Sequence, residues 1–144
     1  MMQFGPALLD TAIFIYAVGG HSPYRAACRR LLSPDVLPAY SGQASVQAIQ
    51  ELLHQRTRRT GDRQESAQVA VAASKLCPLH ELTERDLRLS LELFAQHESL
   101  TGRDALHAAT AIVRDIPVII SPDGDFDGIV GLQRVDPLEA AATI

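Results

Sequence analysis

Hydrophobic positions along the chain fall into a few short continuous runs, separated by longer stretches with helical spacing. Residues 7–16 read as a buried strand that runs on into a turn or helix start, and Gly19-Gly20 breaks it. Ser22 and Pro23 suit a helix start, so 24–32 is helical, with Ala27, Cys28 and Leu31 on one side and Arg25, Arg29 and Arg30 on the other. Residues 36–40 form a short strand candidate weakened by Pro38. A strong helix follows over 45–59, with Val46, Ile49, Leu52 and Leu53 as its apolar stripe. Gln47, Glu51 and His54 lie on a different face. An Ala- and Val-rich helix spans 64–76, and 77–79 is a short strand candidate. Thr83 caps a helix over 84–97 that buries Leu87, Leu91 and Phe94. An Ala-rich helix over 104–114 precedes a β-branched strand at 116–120, a loop at 121–128 and a last strand at 132–135. From Asp136 a tail turns helical. Strands alternating with helices predict an α/β fold with a mainly parallel sheet, built as one domain over 1–144.

Composition narrows the chemistry. The chain has 144 residues, 47% of them hydrophobic, 5% aromatic and none Trp, so its core is mostly Leu, Ile, Val and Ala. A formal net charge of -4 excludes a protein that coats nucleic acid by bulk positive charge. The cations are twelve Arg and the single Lys75. Cys28 and Cys77 lie far apart and suit neither a thiolate metal clamp nor a disulfide framework. With no membrane-length apolar run and no signal peptide, a cytoplasmic protein is expected.

The informative residues are acids in apolar company. Asp10 interrupts the first hydrophobic run, and a charge there requires a partner. Asp123 follows directly on Val118-Ile119-Ile120, and Asp104 opens the helix before that strand. In parallel sheets ligands gather at the carboxyl ends of strands, where these acids converge. Packed carboxylates repel one another, and a hard divalent cation relieves the repulsion. The matching chemistry is metal-assisted phosphodiester hydrolysis. Each acid also has a plainer role. Asp10 fits a turn cap, Glu51 a solvated helix face, and Thr101-Gly102-Arg103-Asp104 a capping box. His107 lies one turn from Asp104 and could face the same pocket, but both it and His54 read more simply as half-buried helix residues without zinc spacing. The alternation of Asp123, Asp125 and Asp127 lacks the Glu of a calcium loop.

Four segments, in order, resemble a PIN domain, specifically the VapC-type toxin branch. They are Leu8-Leu9-Asp10-Thr11, then Ser45-Val46-Gln47-Ala48-Ile49-Gln50-Glu51, then Arg103-Asp104-Ala105-Leu106-His107-Ala108-Ala109-Thr110-Ala111, and Ile120-Ser121-Pro122-Asp123-Gly124-Asp125-Phe126. The resemblance implies an endoribonuclease using Mg²⁺ or Mn²⁺. Asp10, Glu51, Asp104 and Asp123 match its acidic quartet, Thr11 and Ser121 its supporting hydroxyls, and Asp125 a common extra acid. It also implies a cognate antitoxin as partner and a homodimer. Arg25, Arg29 and Arg30, or Arg56, Arg58, Arg59 and Arg63, are candidates to grip RNA phosphates, or else form solvated helix faces. Two other functions fit less well. A non-catalytic PIN-type binding module would bind no metal. A phosphatase or phosphotransferase using Asp10 as nucleophile wants a second Asp where Ala12 stands.

Overall fold

The structure is a computed structural model that describes residues 4–144. Five strands form one sheet: β1 (Ala7–Leu9), β2 (Gly42–Ser45), β3 (Leu79–His80), β4 (Val118–Ile120) and β5 (Gln133–Val135). Their spatial order is β3-β2-β1-β4-β5, and every pairing is parallel. Seven α-helices flank them: α1 (Thr11–Val18), α2 (Arg25–Leu31), α3 (Val46–Thr60), α4 (Arg63–Ser74), α5 (Glu84–Gln96), α6 (Gly102–Val113) and α7 (Pro137–Thr143). None of the described helices is long and apolar enough to cross a membrane.

Strand alternation divides the core into two. Ala7, Leu9, Val118 and Ile120 face one way, onto Ile13, Phe14, Leu31, Leu52 and Ala140. Leu8 and Ile119 face the other, onto Leu93, Ala105, Ala108, Ala109 and Phe126. Small residues on α6 let that helix lie close to the sheet, as its composition predicts. The central strand β1 pairs with β2 through Ala7↔Gly42 and with β4 through Leu9↔Ile120. Chain order runs outward from β1 to β3 on one side and resumes at β4 on the other. The carboxyl ends of β1 and β4 therefore flank a topological switch point, the crevice where parallel sheets bind ligands.

Several elements depart from expectation. The first strand stops at Leu9, because the Asp10 side chain accepts from Thr11 N and caps α1. Residues 36–40 are not a strand. Leu37–Tyr40 is a 3₁₀ turn with Pro at its start, and the strand lies later, at Gly42–Ser45. That strand has no β-branched residue to announce it, and at Gly42 any Cβ would meet the Leu37 and Tyr40 side chains at 2.7–2.9 Å. Val46 on α3 is exposed and Gln47 is buried in its place. The largest correction concerns α5. Leu87, Leu91 and Phe94 are 50%, 60% and 53% exposed, while Asp86, Ser90 and Leu93 point inward. The reason is electrostatic. Asp86 accepts from both Nη1 and Nη2 of Arg114, at 2.7 and 2.9 Å, and from Thr83 N at 2.9 Å, which sets the rotation of the helix.

Candidate active site at the carboxyl end of the sheet

Asp10 leaves β1 at the switch point and is 7% exposed. Its Oδ1 accepts from Thr11 N at 2.8 Å and its Oδ2 from Ser121 Oγ at 2.7 Å. Ser121, fully buried at the end of β4, also accepts from Asp123 N at 3.0 Å. One hydroxyl thus fixes two acids that are far apart in sequence. Asp123 in turn caps the short turn Gly124–Phe126 by accepting from Asp125 N at 2.9 Å. The register Leu9↔Ile120 is what sets the two strand ends level.

Glu51 comes from the second turn of α3, a helix that starts at the Ser45 cap. Its Oε1 accepts from Thr11 Oγ1 and, at 2.9 Å, from His107 Nε2. Its Oε2 accepts from Gln47 Nε2 at 3.0 Å. Gln47 also donates to Arg103 O at 3.2 Å and ties α3 to the start of α6. Burial pushes Glu51 upward, but His107, Thr11 and Gln47 outweigh it and hold the carboxyl at about 2. Glu51 is therefore no solvated surface acid.

His107 is the residue the sequence reading undervalued. It is not half-buried but 1% exposed, with Nε2 3.1 Å from Thr11 Oγ1 and 3.9 Å from Asp10 Oδ1. Burial opposes its charged form, yet Glu51, Asp10 and Asp104 together raise its pKa. The available signal was its place one turn beyond Asp104 within the third of the four segments. Its Ala neighbours read equally well as helix packing.

Asp104 occupies the third position of α6, where its N–H donates to Thr101 Oγ1 at 3.2 Å. The cap therefore uses the backbone of Asp104, alongside its place in the acid cluster. Burial raises its carboxyl pKa, and the charges of Asp10 and Asp123 add to the rise despite the opposing Thr101 contacts. Asp10 is raised too, by burial above all, against the pull of His107. Carboxylate oxygens of Asp104, Asp123 and Asp125 all lie within 4.8 Å of one another. Three hard oxygen donors at that separation suit a divalent cation and no soft metal. Asp123 also pushes the Asp125 carboxyl upward. The structure thus gathers the seven sequence-derived positions at one end of the sheet. Asp125 joins the tight acidic trio, while Glu51 is tied up by protein donors.

The acids open into a cleft of about 720 Å³ lined by Asp10, Thr11, Glu51 and Asp104, with His54, Gln55, Arg58, Arg59 and Arg103 along its walls. An acidic floor with a basic rim has the charge pattern that suits a phosphate diester, with cations for flanking phosphates and hard oxygen donors among the acids.

Comparison with known proteins agrees with this geometry. The PIN domain family model matches residues 7–132. Ribonuclease VapC7 of Mycobacterium tuberculosis is 29% identical over 135 residues, covering 90% of each protein. Among solved structures, a toxin-antitoxin complex from Klebsiella pneumoniae contains a chain with TM-score 0.64 at 22% identity, covering 91% of this chain and 97% of that one. DNA-bound VapBC from Salmonella typhimurium gives TM-score 0.71 at 14% identity, covering 94% and 99%. Fold, strand order and the span of the family match together show that this chain belongs to the PIN domain family.

Proposed function

We propose that the chain is a divalent-metal-dependent endoribonuclease and the toxin of a toxin–antitoxin pair. The observation that supports it most is the acidic trio of Asp104, Asp123 and Asp125 beside Asp10, whose charge adds to the raised pKa of Asp104. A divalent cation among these carboxylates relieves their mutual repulsion. Asp104 and Asp123, with Asp10 and Asp125, would hold Mg²⁺ or Mn²⁺. When bound, the ion polarises a phosphoryl oxygen and eases formation of the attacking hydroxide.

The remaining work belongs to side chains of this chain. Ser121 and Thr11 hold the Asp10 carboxylate in one rotamer. The Glu51 carboxyl is held down at about 2 by His107, Thr11 and Gln47, and among the described residues its Oε2 takes one protein hydrogen bond, from Gln47. An acceptor position is left to orient the attacking water. Water adds to phosphorus, the bond to the ribose oxygen breaks, and that oxygen takes up a proton. The name of VapC7 supports RNA as the substrate, and the Klebsiella complex supports an antitoxin as the partner. A homodimer belongs to the same reading.

The test is cleavage of single-stranded RNA by the purified protein in Mn²⁺, with EDTA as control. The double variant Asp104→Asn, Asp123→Asn should lose at least about a hundredfold in rate while keeping its melting temperature. Equal cleavage by that variant, or cleavage untouched by EDTA, would end the proposal.

A further inference from the structure

Of the arginines that sequence suggested for RNA, Arg58 and Arg59 line the cleft, joined there by Arg103, while Arg25 and Arg63 do not line it. Arg29 donates to Ala17 O, Arg30 to Ala141 O and Ile144 O, and Arg56 forms an ion pair with Glu65 at 2.8 Å. These groups stabilise the fold. Arg58, Arg59 and Arg103 have no side-chain hydrogen bond or ion pair among the described residues, and all three are exposed and line the cleft. Acidic partners lie on the floor of the same cleft, yet the arginines do not fold down onto them.

The pattern on α3 explains their place. Glu51, His54, Gln55 and Arg58 stand at i, i+3, i+4 and i+7, which is one helical face, and all four line the cleft. That face leads from the acid floor to the rim. Seven residues of helix rise span about 10 Å, or roughly three nucleotides of stacked strand. Gly61, at φ 68°, ends the helix directly beyond Arg59 and Thr60 and keeps the track from running further. Part of the role of Arg58 and Arg59 is ordinary: cations in the last turn suit the helix dipole. A dipole alone does not ask for a polar stripe leading to an acidic pocket.

We infer that this face of α3 is a one-sided track for single-stranded RNA, in which Arg58 and Arg59 hold phosphates about three nucleotides from the one being cut, with Arg103 on the opposite wall. The inference rests on the nuclease reading above. No Phe, Tyr or Trp lines the cleft and its one ring is the imidazole of His54, so at the Arg58 and Arg59 end the grip comes from the backbone. Substrate length, rather than base identity, then governs efficiency at this end of the cleft.

The experiment compares a dinucleotide with a decanucleotide in Mn²⁺, for the wild type and for Arg58→Gln, Arg59→Gln. The wild type should favour the longer strand, and the double variant should reduce that ratio of kcat/KM about tenfold or more. The slope of log affinity against log salt for the longer strand should fall by about 1.4, two phosphate contacts at 0.7 each. Arg85→Gln, Arg88→Gln on α5 removes the same charge far from the cleft and controls for bulk electrostatics. A wild type that cleaves RNA, with ratio and slope unchanged in Arg58→Gln, Arg59→Gln, overturns the track and leaves the nuclease standing. A wild type that cleaves neither substrate in Mn²⁺ overturns both.

Discussion

His107 shows how a single side chain governs the electrostatics of the pocket. Its Nε2 lies 2.9 Å from Glu51 Oε1, and the His107 side chain is buried while that of Glu51 keeps only a small face on the cleft. Removing one member of such a pair strands the other in a poorly solvated site. His107→Leu should therefore lower stability by about 3 kcal/mol or more. His107→Gln, which keeps a donor, should recover part of that loss, and urea denaturation of the two variants checks the ranking. Equal losses would mean that ring volume matters more than the hydrogen bond. Asp10 and Asp123 were legible in sequence because a carboxylate after an apolar run violates the ordinary pattern, whereas Glu51 was picked out only by the family resemblance. His107 was not legible, because nothing in its Ala-rich surroundings marks which side of α6 meets Glu51 of α3. That meeting depends on tertiary approach across 56 residues of chain.

Between elements, the ion pair of Asp86 and Arg114 decides how α5 sits on α6. Burial pushes the Asp86 carboxyl up, but Arg114 and the Thr83 cap outweigh it and bring the pKa below the ordinary value. A depressed acid stabilises the fold above its unfolded pKa of about 3.9, and that contribution is lost as pH falls through the folded value. Asp86→Asn should thus be less stable than the wild type by about 3 kcal/mol at pH 7. The gap should narrow on acidification below about pH 4, as followed by thermal melts across the pH range. A gap independent of pH would show that capping, not charge, is what Asp86 supplies. The face that α5 buries was misread from sequence for the same reason. Leu87, Leu91 and Phe94 form the more apolar stripe, but helix periodicity cannot weigh it against an Arg supplied from residue 114. Likewise β2 was missed because Gly42-Gln43-Ala44-Ser45 has weak strand propensity, and its place is earned by pairing with β1 and β3.

At the scale of the molecule, the α/β class, the parallel sheet and the order of most helices were readable, since chain alternation alone implies them. The surface was not. Leaving Leu87, Leu91 and Phe94 in water gives α5 an apolar outer stripe that contributes little to the monomer's core. Leu91→Ser should change unfolding free energy by less than roughly 0.5 kcal/mol. Leu52→Ala, in a fully buried site between α3 and the sheet, should cost about 2–5 kcal/mol. A large loss at Leu91 would indicate that the stripe is covered in solution.

The position of β1 at the centre of the sheet has a consequence for biosynthesis. This strand is made well before its neighbour, which begins at Val118, so Asp10 gains Ser121 only after a further 111 residues have been synthesised. A chain halted by the ribosome before that point has three strands, one exposed edge on β1 and no complete pocket. Whatever the carboxylates do, they are assembled only once β4 has joined the sheet.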